Sequence, residues 1–159
     1  MPLSNFKKMI QLATDVFDVK NDPDQLDVNE KVIERLHHIH PATVSEYNEG
    51  NGPLVWILLI PTTNHIMDKF LTGEISEQQL FDLTSVDTSY DAIYLCSAMV
   101  LEEYRRKGIA KRLTLEAIDS IRKDHPIKTL FVWPFSNEGE ILAQGIAIKT
   151  SLPLLKRTA

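Results

Sequence analysis

Residues 91–123, DAIYLCSAMVLEEYRRKGIAKRLTLEAIDSIRK, decide how the rest of the chain is read. Ala92 to Leu101 is a mainly apolar run of strand length, bounded by Asp91 and Glu102. A turn from Glu102 to Lys107 follows, after which Ile109, Leu113, Ala117 and Ile121 recur every four residues and mark one face of a helix. The order is strand, turn, helix. Three cations, Arg105, Arg106 and Lys107, stand at the helix start, just before Gly108. A helix start is already the positive end of the backbone dipole, so each cation there costs a few tenths to about 1 kcal/mol unless something negative offsets it. The free amides of a first turn form a ready anion site, and a glycine lets a phosphate come close to the backbone. The stretch therefore implies a phosphate-bearing ligand.

Outward from this segment, the 159 residues, 43% hydrophobic and 25% charged, fit one ordinary globular domain over 1–159 that can bury a core without covalent staples. A single cysteine, Cys96, excludes an intramolecular disulfide. The opening MPLSNFKKMIQLATDVFD has no continuous apolar core, and the longest apolar run near mid-chain, Leu54 to Ile60, is too short to span a bilayer as a helix. A cytoplasmic protein without membrane attachment is the expectation. The charge is uneven. Residues 62–91 carry Asp68, Glu74, Glu77, Asp82, Asp87 and Asp91 against Lys69 alone, whereas residues 102–112 carry five cations against two acids. The first segment would attract a cation if it faces a cleft, and the second an anion; as a solvated surface, the acidic one would merely aid solubility.

Ser4 to Val19 reads as a first helix, and a second follows from the Asp22-Pro23 start to about His40, where Pro41 stops it. Ala42 to Asn48 alternates as a strand. The cluster Asn48 to Pro53 signals a hairpin turn, and Leu54 to Pro61 is apolar enough for a central strand covered on both faces. Two short helices are predicted at Asn64 to Leu71 and Ser76 to Thr84, the latter with Ser76 and Gln79 at capping-box spacing. Beyond the opening stretch come a strand at Ile127 to Trp133, a helix capped by Ser136 or Asn137 that runs to about Ile148, and a last strand within Thr150 to Leu155, kept at an edge by Pro153. Strand, helix, strand from Ala92 to Trp133 is a right-handed parallel unit, while the earlier hairpin is antiparallel. The sheet must be mixed.

Gly108 is followed by Ile109 and Ala110, which excludes a P-loop and a dinucleotide fingerprint. The residues fit Arg/Gln-x-x-Gly-x-Gly/Ala as Arg105-Arg106-Lys107-Gly108-Ile109-Ala110. With the strand before and the helix after, the segment from Ala98 to Ala110 resembles the signature of the GNAT superfamily, the acyl-CoA-dependent N-acyltransferases. The resemblance covers residues 92–137 and implies an α/β fold with a mixed, mostly antiparallel central sheet, helices on both faces and a splayed parallel strand pair. It implies that Arg105, Arg106, Lys107, Gly108, Ile109 and Ala110 hold the coenzyme A pyrophosphate, that Met99 and Val100 pair with the pantetheine arm, and that Asn137 contacts the same arm. Acetyl-CoA is the implied acyl donor. The implied acceptor is a primary amine of a small molecule or peptide, cationic if the acidic segment borders it. A non-catalytic acyl-CoA-binding module of the same fold is the alternative reading.

The chain departs from the family pattern in three places. It opens with a helix where the family commonly opens with a strand. It has length for one strand after the last helix where the family has two. Gln144 stands where the family often carries a tyrosine that protonates the leaving thiolate. A thiol of pKa about 8.5 can leave as thiolate near neutral pH, so that loss is worth up to about 10² to 10⁴ in rate.

For the base that deprotonates the amine, Glu46 on the first strand and Tyr94 on the strand entering the motif are the candidates; a solvated edge for Glu46 and a core position for Tyr94 are the plainer readings. Cys96, in an apolar strand, reads as a small core residue, and Trp56 and Trp133 also read as core. His37, His38 and His40 close a helix without a neighbouring Asp, Glu or Cys, a pattern of helix ends rather than of metal sites. The basic run RRKGIAKR does not make a nucleic-acid reader, because strands rather than a partner helix flank its helix and the chain as a whole is acidic. Monomer and homodimer are both open.

Overall fold

Leu54 to Ile60 has no polar side chain to spare for solvent, and the computed structural model, which describes residues 30–48, 53–86, 88–100, 108–133 and 137–157, places all seven residues in the core. They form the middle of β2 (Pro53–Thr62), which pairs antiparallel with β1 (Val44–Asn48) on one side and with β3 (Ala92–Val100) on the other. Parallel pairs then extend the sheet from β3 to β4 (Thr129–Val132) and from β4 to β5 (Leu154–Lys156), giving the order β1-β2-β3-β4-β5. The sheet is mixed, and the antiparallel ladders are the longer. β5 lies at an edge, as Pro153 requires, and the Pro153 carbonyl accepts from the Leu130 amide.

The helices are α1 (Glu30–Ile39), α2 (Asn64–Leu71), α3 (Glu77–Leu83), α4 (Ile109–Asp124) and α5 (Asn137–Thr150). Caps fix the two short ones. The Thr63 hydroxyl accepts from the Ile66 amide at the start of α2, and Ser76 and Gln79 close a reciprocal capping box at the start of α3. Two faces of the sheet can be told apart by strand alternation. Arg112 of α4 lies over the Tyr47 ring, so Tyr47 and its partner Val55 face α4. Trp56, Leu58 and Ile60 then face the other way, with Tyr94 opposite Ile60. There Phe70 of α2 packs against Tyr94 and Phe131, at ring separations of 4.9 and 5.9 Å. Helices therefore cover both faces. On the α4 face the buried residues are Thr114, Ala117, Ile118 and Ile121, while Ile109 and Leu113 sit at the margin of the core.

The predicted first helix, Ser4 to Val19, lies outside the described residues, as do residues 49–52 of the hairpin turn and 101–107 of the turn into α4. At the end of α1 the histidine cluster divides. His37 and His38 are exposed, whereas His40 is buried, accepts from the Ala42 amide at Nδ1 (3.0 Å) and pairs through Nε2 with Asp124 at the end of α4 (2.7 Å). With Nδ1 an acceptor, the proton sits on Nε2. His40 thus ties α1 to α4, and among the described residues no group of three or more His, Cys, Asp or Glu could hold a metal ion. No helix among them is long and apolar enough to cross a membrane.

Candidate acyl-transfer site

β3 and β4 are in register only from Ala92/Thr129 to Tyr94/Phe131. β3 continues along β2 to Val100, whereas β4 ends at Val132, so the two parallel strands part after Tyr94. The parting coincides with an irregularity. Leu58 faces Ser97 and Leu59 faces Leu95, which leaves Cys96 as an extra residue in β3, a β-bulge. Bulges bend the bulged strand and increase its twist, and beyond this one β3 pairs with β2 alone among the described residues. Met99 and Val100 close this half, opposite Trp56 and Val55.

α4 begins beside it. Gly108 is the N-cap, in the left-handed region at φ 73° and ψ 5°, and no side chain among the described residues caps the helix. The first bond inside the helix runs from the Arg112 amide to the Gly108 carbonyl (3.1 Å), so the amides of Ile109, Ala110 and Lys111 have no acceptor within it. No acid occupies the first turn. A Cβ added at Gly108 would meet no atom of the described residues within 4 Å. A helix start with no acid in its first turn and no cap from a described side chain suits an anion. Arg105, Arg106 and Lys107 lie outside the described residues. Ile109 and Ala110 rest against the core with their amides forward. Asn137, exposed, is the first residue of α5, and Gly145 two turns on lets α5 approach α4: its added Cβ would come within 3.3 Å of the Lys111 ammonium. Gln144 is exposed on α5.

Where the strands part, the face opposite α4 carries a buried polar group that the residue pattern did not single out. Glu77, the first residue of α3, is 0% exposed, and the Tyr94 hydroxyl, also 0% exposed, donates to its carboxylate at 2.5 Å. Burial first, then the charge of Glu77, pushes the Tyr94 phenol well above its ordinary range, and the nearby Arg157 guanidinium opposes this more weakly. Burial and the same carboxylate push the Cys96 thiol up. Both groups are held protonated. Arg157, just past β5, lies over the Trp133 ring (4.2 Å) and the Phe70 ring (4.6 Å). Glu46, by contrast, is exposed on the edge strand β1. In the sequence Glu77 is one of six acids in a segment, yet a local signal was available: Leu80 and Phe81, three and four residues on, put Glu77 on the apolar face of α3.

Residues 65–141 match the model of the acetyltransferase (GNAT) family, a segment running from α2 to the first turns of α5 and including the parted strands and the start of α4. No curated protein matches the chain.

Proposed function

We propose that this chain, whose residues 65–141 form a GNAT acetyltransferase segment on a GNAT-like mixed sheet, transfers the acetyl group of acetyl-CoA to a primary amine of a small molecule or peptide. The observation that carries the proposal is the start of α4, free of acids in its first turn and of caps from the described residues, following a β3 whose pairing with β4 ends at Tyr94. In this reading the amides of Gly108, Ile109 and Ala110 take the pyrophosphate, with Arg105, Arg106 and Lys107 supplying countercharge. The backbone of Met99 and Val100 pairs with the amide-bearing pantetheine arm, which enters where β4 leaves off, and Asn137 supports it from α5. The neutral amine attacks the thioester carbonyl, the C–S bond breaks, and the amine loses a proton as coenzyme A departs. In this reading strand amides at the bulge stabilise the oxyanion.

Exposed Asp68, Glu74 and Asp82 on α2, α3 and the turn between them support a cationic acceptor, whereas Glu77 is buried against Tyr94 and contributes nothing to that surface. A second reading, an acyl-CoA-binding module without turnover, is favoured by Gln144, where a thiolate acid is missing, and by the lack of a placed base, since Glu46 is exposed and Tyr94 is buried.

The test is calorimetric binding of coenzyme A together with thiol release from acetyl-CoA across a panel of amines. Gly108→Trp should abolish binding in a protein that still melts cooperatively, because the indole would occupy the proposed phosphate seat at the start of α4. Unchanged affinity would remove the proposed pyrophosphate site. Binding without turnover on any amine would select the module.

A further inference from the structure

β5 ends the sheet with a row of backbone groups that no strand among the described residues takes up. The Pro153 carbonyl accepts from the Leu130 amide and the Arg157 amide donates to the Val132 carbonyl, so both turn toward β4. Backbone groups alternate sides along a strand, and Leu155, two residues from each, turns the same way. The amides and carbonyls of Leu154 and Lys156 therefore point outward from the edge, since β5 pairs with β4 alone. Edges of this kind are commonly guarded by a lysine reaching into solvent. Here Lys156 is turned back onto α5 by Glu140. Apolar side chains gather along the same edge. Leu155, 41% exposed, shares a face of the sheet with its register partner Phe131, while Ile141 and Ile148, 70% and 78% exposed, stand on α5 over the other face.

We propose that this edge takes a second copy of the chain, joined antiparallel about a two-fold axis through Leu155. Leu154 of one copy then lies opposite Lys156 of the other, and each exchanges amide and carbonyl bonds with that residue, which satisfies the outward groups of β5. An axis through Leu154 would instead set Lys156 against Leu152, whose amide is already bonded to the Ala147 carbonyl. With the axis at Leu155, this residue meets its own copy in a non-hydrogen-bonded pair, where Cα atoms approach to about 4.5 Å and the side chains pack together. On the other face, Glu140 holds α5 to Lys156, which sets the neighbouring Ile141 near the axis and against its copy. The charges fit as well. Glu140 and Lys156 keep 34% and 33% of their side-chain surface exposed, so around the axis each copy brings one acid and one base within reach of the other's. The interface is isologous and closes at a dimer.

Analytical ultracentrifugation of the full chain, from low to high micromolar concentration, should show a monomer–dimer equilibrium. Ile141→Lys changes a side chain exposed enough to spare the fold, places like charges at the axis, and should weaken the dimer by more than about tenfold. Leu83→Lys, at an exposed apolar residue at the end of α3, should leave the equilibrium unchanged. In a Cys96→Ala background, Leu155→Cys should form a disulfide-linked dimer on mild oxidation, because the paired Cα atoms fall within the roughly 4.4 to 6.8 Å that a disulfide spans, and Leu83→Cys should not. A parent that stays monomeric at every concentration overturns the proposal and leaves the edge to residues 1–29 or to another protein. A dimer that survives Ile141→Lys, or that fails to link through Leu155→Cys, has its interface elsewhere and overturns the proposal too.

Discussion

His125 shows how one side chain can make the stability of this protein depend on pH. It caps the end of α4, its Nδ1 accepts a long bond from the Tyr90 amide (3.4 Å), and its ring meets those of Tyr90 and His40 at 4.6 and 5.9 Å. Burial first, then the neighbouring His40, lowers its pKa below the ordinary 6.5, and Asp124 opposes this only in part. The unfolded chain therefore takes up the proton before the folded one does. The contribution of His125 is fully present above about pH 6.5 and is lost as pH falls from there through the lower folded-state value. Urea unfolding at pH 7.5 and 5.5 should show a loss of stability on acidification that is smaller in His125→Gln. An identical loss in the variant would place the dependence elsewhere. His40 beside it is tied on both nitrogens, so the two rings, alike in sequence, differ in function: one is a clamp between helices and the other a titrating neighbour.

At the scale of elements, α3 is seven residues long, too short to persist without help, and its capping box supplies that help. Ser76→Ala removes the hydroxyl that accepts from the Gln79 amide and should cost about 1 kcal/mol, measurable by urea unfolding. The capping box, the starts and ends of α2 and α3, and the strand-turn-helix at Gly108 were legible in the sequence because each depends on residues within a turn of one another. On α4 the spacing of four found Ala117 and Ile121, which are buried, and Ile109 and Leu113, which sit at the margin of the core; it missed Thr114 and Ile118 on the adjacent stripe, since only the sheet beneath sets how wide the buried face is. The Tyr94–Glu77 contact joins residues seventeen apart in different elements. No local pattern encodes it.

Across the whole molecule the sheet is built unevenly, and this bears on how ligand and fold depend on each other. β1, β2 and β3 are joined by long antiparallel ladders, whereas β3, β4 and β5 meet over three residues at each junction. The parallel half is held largely by what packs on it: α4 and α5 on one face, and Phe70, Tyr94, Phe131, Trp133 and Arg157 on the other. A ligand seated between β3 and β4 that also covers the start of α4 would bridge the two halves, and only the folded state offers that seat. Linkage then fixes the size of the effect: ligand at about 100 times its Kd stabilises by about 2.7 kcal/mol. For a chain of this length that corresponds to a rise in Tm of roughly 5 to 10 °C. Coenzyme A and acetyl-CoA should give similar rises, because they share the pyrophosphate and the pantetheine arm. An acetylated pantetheine lacking the nucleotide should give a smaller one, and the rise with coenzyme A should shrink as salt screens the cations before α4. Gly108→Trp should abolish the rise with coenzyme A and acetyl-CoA and leave that with acetylated pantetheine. A thermal melt of the parent that does not move in saturating coenzyme A would mean that the helix start is not a pyrophosphate seat, whatever its geometry suggests.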